Sequence, residues 1–242
     1  MELMQVILLV LVGFGAGFVQ RVSGFGLGIF AMMFLPHFMP SHPVAATVST
    51  LFSCVTSTYN AVKYRKHIVY STAFPMLCAA LISIPLGVYA SVAVSGEIFE
   101  ILLGAVLIVL SVYFLFFSRR VRMKATAANG ILAGALGGGL NGLFSTGGPP
   151  VVLYLSNALT DKNAYFATIQ FYFGLTNIYS VGSRAAGGLV TGEVLLFAAV
   201  GIVGCLAGDF AGRLVFDRLD GGKLRLVIYL GMILSGIIMI LS

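Results

Sequence analysis

Asn141-Gly142-Leu143-Phe144-Ser145-Thr146-Gly147-Gly148-Pro149-Pro150 interrupts an otherwise apolar region spanning residues 125–159. A helix arriving at this stretch cannot run through it. The paired prolines lack amide hydrogens and clash with the preceding turn, so a helix stops before them or restarts on them. The arm after the break, Val151 to Leu159, is nine residues long. At about 1.5 Å of rise per residue it covers roughly half of a lipid bilayer. A weaker echo lies near the N-terminus, where Gln20-Arg21-Val22-Ser23-Gly24-Phe25-Gly26 divides the apolar region 3–39. At an offset of 122 residues, Gly15, Gly17, Ser23 and Gly26 fall on Gly137, Gly139, Ser145 and Gly148.

Composition puts these regions in lipid. Apolar residues make up 59% of the 242 residues and charged residues only 9%, with a mean hydropathy of +1.04. A soluble domain carries about 25% charged residues, so this chain cannot coat a water-facing globule. The excess of basic residues, net +6, reads as cytoplasmic helix ends under the positive-inside rule and not as a nucleic-acid surface. Cys54, Cys78 and Cys205 show no CxxC pairing, so neither a disulfide framework nor a metal site is expected. The N-terminus has an apolar run without a basic region before it and reads as a retained membrane segment.

Straight spans are expected at about 44–62, 71–92, 98–117, 164–183, 193–212 and 224–241. Each interrupted region is followed by three of them. The sequence therefore predicts an all-α polytopic membrane protein of 8–10 membrane segments, built from two repeats. Each repeat is a broken or re-entrant Gly-rich hairpin plus three transmembrane helices. Residues 1–117 form the first repeat, 118–124 a basic cytoplasmic linker, and 125–242 the second. If each hairpin returns to its side of entry, the repeats are inverted. Twelve Lys and Arg then lie inside and Arg184 alone outside, with Arg21 at a hairpin tip left uncounted. The parallel arrangement gives eight and five, so positive-inside counting selects inversion. The expected location is the inner (plasma) membrane, multi-pass.

Non-helical backbone at membrane depth persists only where protein or a water-filled cavity covers it. A helix restarting there offers unbonded amides with a partial positive charge, a ready anion site. Ser23, Ser145 and Thr146 add hydroxyls. Gly137-Gly138-Gly139 with Ser145-Thr146-Gly147-Gly148-Pro149-Pro150, and the echo Gly13-Phe14-Gly15-Ala16-Gly17 through Ser23-Gly24-Phe25-Gly26, resemble the TauE/SafE family of membrane transporters over essentially the whole chain. The resemblance implies movement of sulfite, sulfoacetate, other sulfonates or small organic acids, often outward. The first half departs from the family pattern, with Phe25 and Leu27 near its tip and no proline there.

These readings converge on a secondary transporter, an exporter of a small anion such as sulfite or an organosulfonate. It would alternate access around a midplane site where the two tips meet. A passive anion channel, or a proton-coupled uptake permease for a small carboxylate or sulfonate, would use the same parts. The candidate substrate-binding residues are Gln20, Arg21, Ser23, Gly24, Gly26, Asn141, Ser145, Thr146, Gly147, Gly148, Gln170, Tyr172 and Asn177. Arg21 is either an anion ligand or a snorkelling residue at the headgroups. Gln170 and Asn177, seven apart, share a helix face. Asp209 is either the partner of Arg213 one turn on or a proton-coupling carboxylate. His37, His42 and His67 fall at span ends without metal spacing. Ser23 and Ser145 stand in no nucleophile motif and no mid-span histidine could serve as base, so an enzyme is not expected. No cofactor or nucleic-acid partner is expected either. The partners are the anion and the bilayer, and a homo-oligomer is compatible with the sequence.

Overall fold

The computed structural model describes residues 2–117, 124–215 and 221–241, without the side chains of 117, 215 and 221–229. The linker 118–124, apart from Lys124, lies outside the described residues, as do Asp217, Arg218 and Asp220. The described residues are helical throughout, joined by short turns. In chain order the helices are α1 (Leu3–Ser23), α2 (Leu27–Phe34), α3 (His42–Lys63), α4 (Tyr70–Ala93) and α5 (Gly96–Val112). The second half follows as α6 (Ala127–Phe144), α7 (Gly148–Ala158), α8 (Lys162–Ala186), α9 (Gly192–Val215) and α10 (Gly221–Leu241). Each half thus runs long helix, short helix, then three long helices. Helices occupy all six positions expected for straight spans, and both hairpins are broken.

The breaks form where the sequence permits a sharp reversal. α1 ends on Gly24 at φ 81°, and Gly26 at φ 93° starts α2. Glycine holds this left-handed geometry without a Cβ penalty. In the second half Ser145 takes the same role at φ 59°, an uncommon conformation for a residue with a side chain. Pro149 and Pro150 then occupy the first turn of α7, where the missing amides would have had no intrahelical acceptor anyway.

Packing is the reverse of that in a soluble domain. The outer surface is apolar: Ile82 is 73% exposed, Tyr89 76% and Leu241 80%. The interior holds the polar side chains, notably Thr47, Ser49, Thr50, Thr56, Ser57 and Asn60 of α3 and Thr168, Gln170, Thr176, Asn177, Ser180 and Arg184 of α8. Four helices among the described residues, α1, α4, α5 extended to Phe116, and α9, are long and apolar enough to cross a membrane. α3 and α8 are equally long but polar along their shared face, which fits a central position away from lipid. α1 packs along α9 and α6 along α4. In both seams glycines let backbones touch, as at Gly17 against Cys205 and Gly138 against Ala80. α3 and α8 run antiparallel, since Thr47 meets Arg184, Ser53 meets Asn177 and Thr58 meets Gly174.

Candidate functional site

The two hairpin tips meet at the centre of the bundle. Phe25 lies against Gly148, and the Cα of Gly28 faces the carbonyl oxygen of Ser145. Between the tips is a cavity of about 20 Å³, room for a water or two. Its walls are Gln20, Phe25 through Ile29, Ser53, Asn141, Ser145 through Gly148, and Phe173. The start of α2 (Leu27, Gly28, Ile29) and the start of α7 (Gly147, Gly148) therefore open onto one space. The first amides of a helix have no acceptor within it, so both starts turn partial positive charge toward the cavity.

Polar side chains fix the walls. Gln20 donates to Ser57 Oγ at 2.8 Å and to Gln170 Oε1 at 3.1 Å, and accepts from Thr56 Oγ1 at 2.8 Å. Gln170 in turn donates to the carbonyl of Gly24 at 3.0 Å, tying α8 to the first tip. On the other side Asn141 donates to Asn177 Oδ1 at 3.1 Å, and Asn177 donates to Ser53 Oγ at 2.8 Å. Thr50 donates to Ser145 Oγ at 3.2 Å. Thr146 is the exception: only 1% exposed, its hydroxyl has no hydrogen-bond partner. An unsatisfied buried hydroxyl costs about 1–3 kcal/mol.

Of the residues singled out from sequence, Gln20, Gly26, Asn141, Ser145, Thr146, Gly147 and Gly148 line the cavity. Gly24, Gln170 and Asn177 stand directly behind it. Three lie apart. Ser23 folds back to donate to the carbonyl of Val19 at 2.7 Å and also bonds that of Phe25. Tyr172 is buried beside Gly137 with its hydroxyl unpartnered. Arg21 donates to Tyr64 Oη at 2.8 Å, with its guanidinium over the rings of Tyr64 and Phe166. Asp209 pairs with Arg213 one turn on and accepts from Asn60 Nδ2 at 3.1 Å. The cysteines are unpaired, and His42 lies 3.2 Å from Glu100 at the span ends.

Residues 9–239 match the family model described as sulfite exporter TauE/SafE. The chain belongs to the TauE/SafE family. This TauE/SafE protein is accordingly a multi-pass membrane transporter and not an enzyme. No curated protein and no solved structure matches it. Sequence reasoning missed the polar stripe of α3 and, above all, Arg184. Counted from sequence as the one basic residue on the outer side, Arg184 is wholly buried in the TauE/SafE fold. It donates to the carbonyls of Gly142 at 2.6 Å and Asn141 at 3.4 Å, and to Thr47 Oγ1 at 3.4 Å. A signal was present: Gln170, Asn177 and Arg184 follow at intervals of seven, one continuous helix face.

Proposed function

We propose that the chain is a secondary transporter of the inner (plasma) membrane that exports a small oxyanion such as sulfite or an organosulfonate. The observation that carries this reading is the convergence of two half-helix starts and the unpartnered Thr146 hydroxyl on one small cavity. Such a cavity offers amide and hydroxyl donors, the groups that bind an anion. Asn141, Gln20 and Ser53 supply further polar edges, and Phe173 and Phe25 exclude water.

The antiparallel crossing of α3 and α8 supports inverted repeats. These helices hold the same place in the two halves, so a two-fold axis relating the halves runs across them. If both cross the bilayer, the axis lies in the membrane plane. The matching seams, α1 on α9 and α6 on α4, fit the same operation. The cavity is too small for a sulfonate, so the conformer described is closed. Substrate enters when the tips part toward one side and leaves when they part toward the other. An inside-negative potential drives a monoanion outward by about 2.3 kcal/mol per 100 mV, so export needs no coupling ion.

Proteoliposome flux tests the reading. Purified protein should move sulfite or a short sulfonate down an imposed gradient, saturably, with acceleration by a potential negative on the side of origin. Failure to bind or move any of sulfite, sulfoacetate, taurine, lactate and sulfate would overturn it.

A further inference from the structure

α6 stops at Phe144, so its C-terminal carbonyls point toward the tip region, beside the cavity that the start of α7 also lines. A helix C-terminus carries about half a negative charge. Uncorrected, it would oppose any anion drawn to the amides of α7. Arg184 supplies the correction from α8, with its guanidinium on the carbonyls of Asn141 and Gly142.

Three features separate Arg184 from an ordinary helix cap. It is completely buried, and among the described residues no carboxylate lies within ion-pair distance of it. Its Nε has no hydrogen-bond partner. The same face of α8 leads from Arg184 through Ser180 to Asn177 behind the cavity wall, and the buried hydroxyl of Ser180 is also unpartnered, as is that of Ser49 on α3. A full cation in this setting is costly unless a negative partner arrives. At the 121-residue offset that relates the caps of the two hairpins, Gly24 to Ser145 and Gly26 to Gly147, the counterpart in the first half is Lys63, which is exposed and not buried.

Resting on the function proposed above, we infer that Arg184 is the resident counter-charge of the tip cavity. It cancels the carbonyl end of α6 and supplies the positive potential that holds an oxyanion against Thr146, Gly147 and Gly148. Arg184 acts through the Asn141 backbone and not by direct contact in the closed conformer, which makes it a positioning and charge-setting residue. The anion site is thereby asymmetric, centred on the second tip.

The test uses full-length protein in detergent with two probes, ethanesulfonate as monoanion and sulfate as dianion, read by equilibrium binding. Arg184→Gln keeps an amide donor for the carbonyls and removes the charge. A unit charge on the order of 8 Å away, at an effective dielectric near 20, sets a monoanion constant by about 30-fold. The monoanion should therefore weaken about 30-fold and the dianion by roughly the square of that. Arg184→Lys, which keeps the charge, should hold both within several-fold of wild type. Equal loss for both probes, or unchanged binding in Arg184→Gln, would show that Arg184 is only a hydrogen-bonding cap. If Arg184→Gln does not insert, Arg184→Lys decides: retained binding supports the counter-charge, and loss of both probes overturns it. Wild-type protein that binds neither probe overturns this inference, and the functional reading falls with it only if sulfite, sulfoacetate, taurine and lactate also fail to bind or move.

Discussion

Gly28→Ala is the smallest change that sets the two tips against each other. A Cβ built on Gly28 falls 1.7 Å from the carbonyl oxygen of Ser145. A real carbon–oxygen contact needs roughly 3.2 Å or more, so one tip must retreat by about 1.5 Å. Neither side yields easily. The opposing atom is backbone, and Ser145 is held at φ 59° by the hairpin reversal. Overpacking a tight site costs about 1–3 kcal/mol, with backbone clashes at the upper end. A closed state destabilised by about 3 kcal/mol is populated about a hundredfold less. If, as proposed, the chain passes through closure to alternate, anion flux per inserted molecule should drop at least tenfold. Gly139→Ala is the matched control, since a Cβ there meets nothing within 4 Å, and it should also gain helix propensity. Both variants are reconstituted at equal protein content and assayed for sulfonate flux. Wild-type flux through Gly28→Ala, with insertion confirmed, would refute the claim that tip-to-tip closure belongs to the transport cycle.

Asn177→Val removes the link between Asn141 and Ser53 and leaves both unsatisfied, so stability in detergent should fall by about 2–4 kcal/mol; denaturant unfolding measures it, and a change under 0.5 kcal/mol would show that water replaces the side chain. Asp209→Asn keeps a partner for Asn60 but strips Arg213 of its ion pair; flux should persist with its pH profile unchanged, and loss of that profile would make Asp209 the proton-coupling group. For topology in a cysteine-free background, Ser95→Cys should be labelled from outside intact cells and Lys162→Cys only after permeabilisation, since a parallel arrangement would leave both outside. Both positions are exposed at helix ends. Equal labelling from outside would remove the inverted arrangement.

The helices and breaks were legible because they rest on local chemistry. Twenty apolar residues between basic loops leave few alternatives to a span, and Gly147-Gly148-Pro149-Pro150 admits no continuous helix. What sequence could not settle was direction. Arg21 carried two readings because nothing local says which way a long side chain points; in the fold its guanidinium lies over the rings of Tyr64 and Phe166. Ser23 and Ser145 matched in sequence but not in use, since Ser23 spends its hydroxyl on its own hairpin while Ser145 faces Thr50 across the bundle. Arg184 was misread for a clearer reason. Charge counting treats every Arg near a helix end as solvated, whereas the last turn of α8 is covered by α3 and α6, a tertiary fact. Its spacing from Asn177 was the available correction.

The unequal use of two matched halves follows from these contacts. In the first half the backbone at the break is satisfied by side chains: Gln170 bonds Gly24, and Gln20 is held on three sides by Ser57, Thr56 and Gln170. Little hydrogen-bonding capacity is left over, and the charge of Arg21 is turned away to the aromatic rings. In the second half the supply of donors exceeds the demand. Thr146 Oγ1 and Arg184 Nε both remain without acceptors, two prolines hold the start of α7 in place, and the carbonyls of α6 are already capped. A buried surplus of donors beside a fixed cation is an unfavourable state for a protein on its own. On the function proposed above, an acceptor-rich anion at the second tip would satisfy those donors. The first tip, whose side chains are bonded to one another, would then be the wall against which that anion is enclosed.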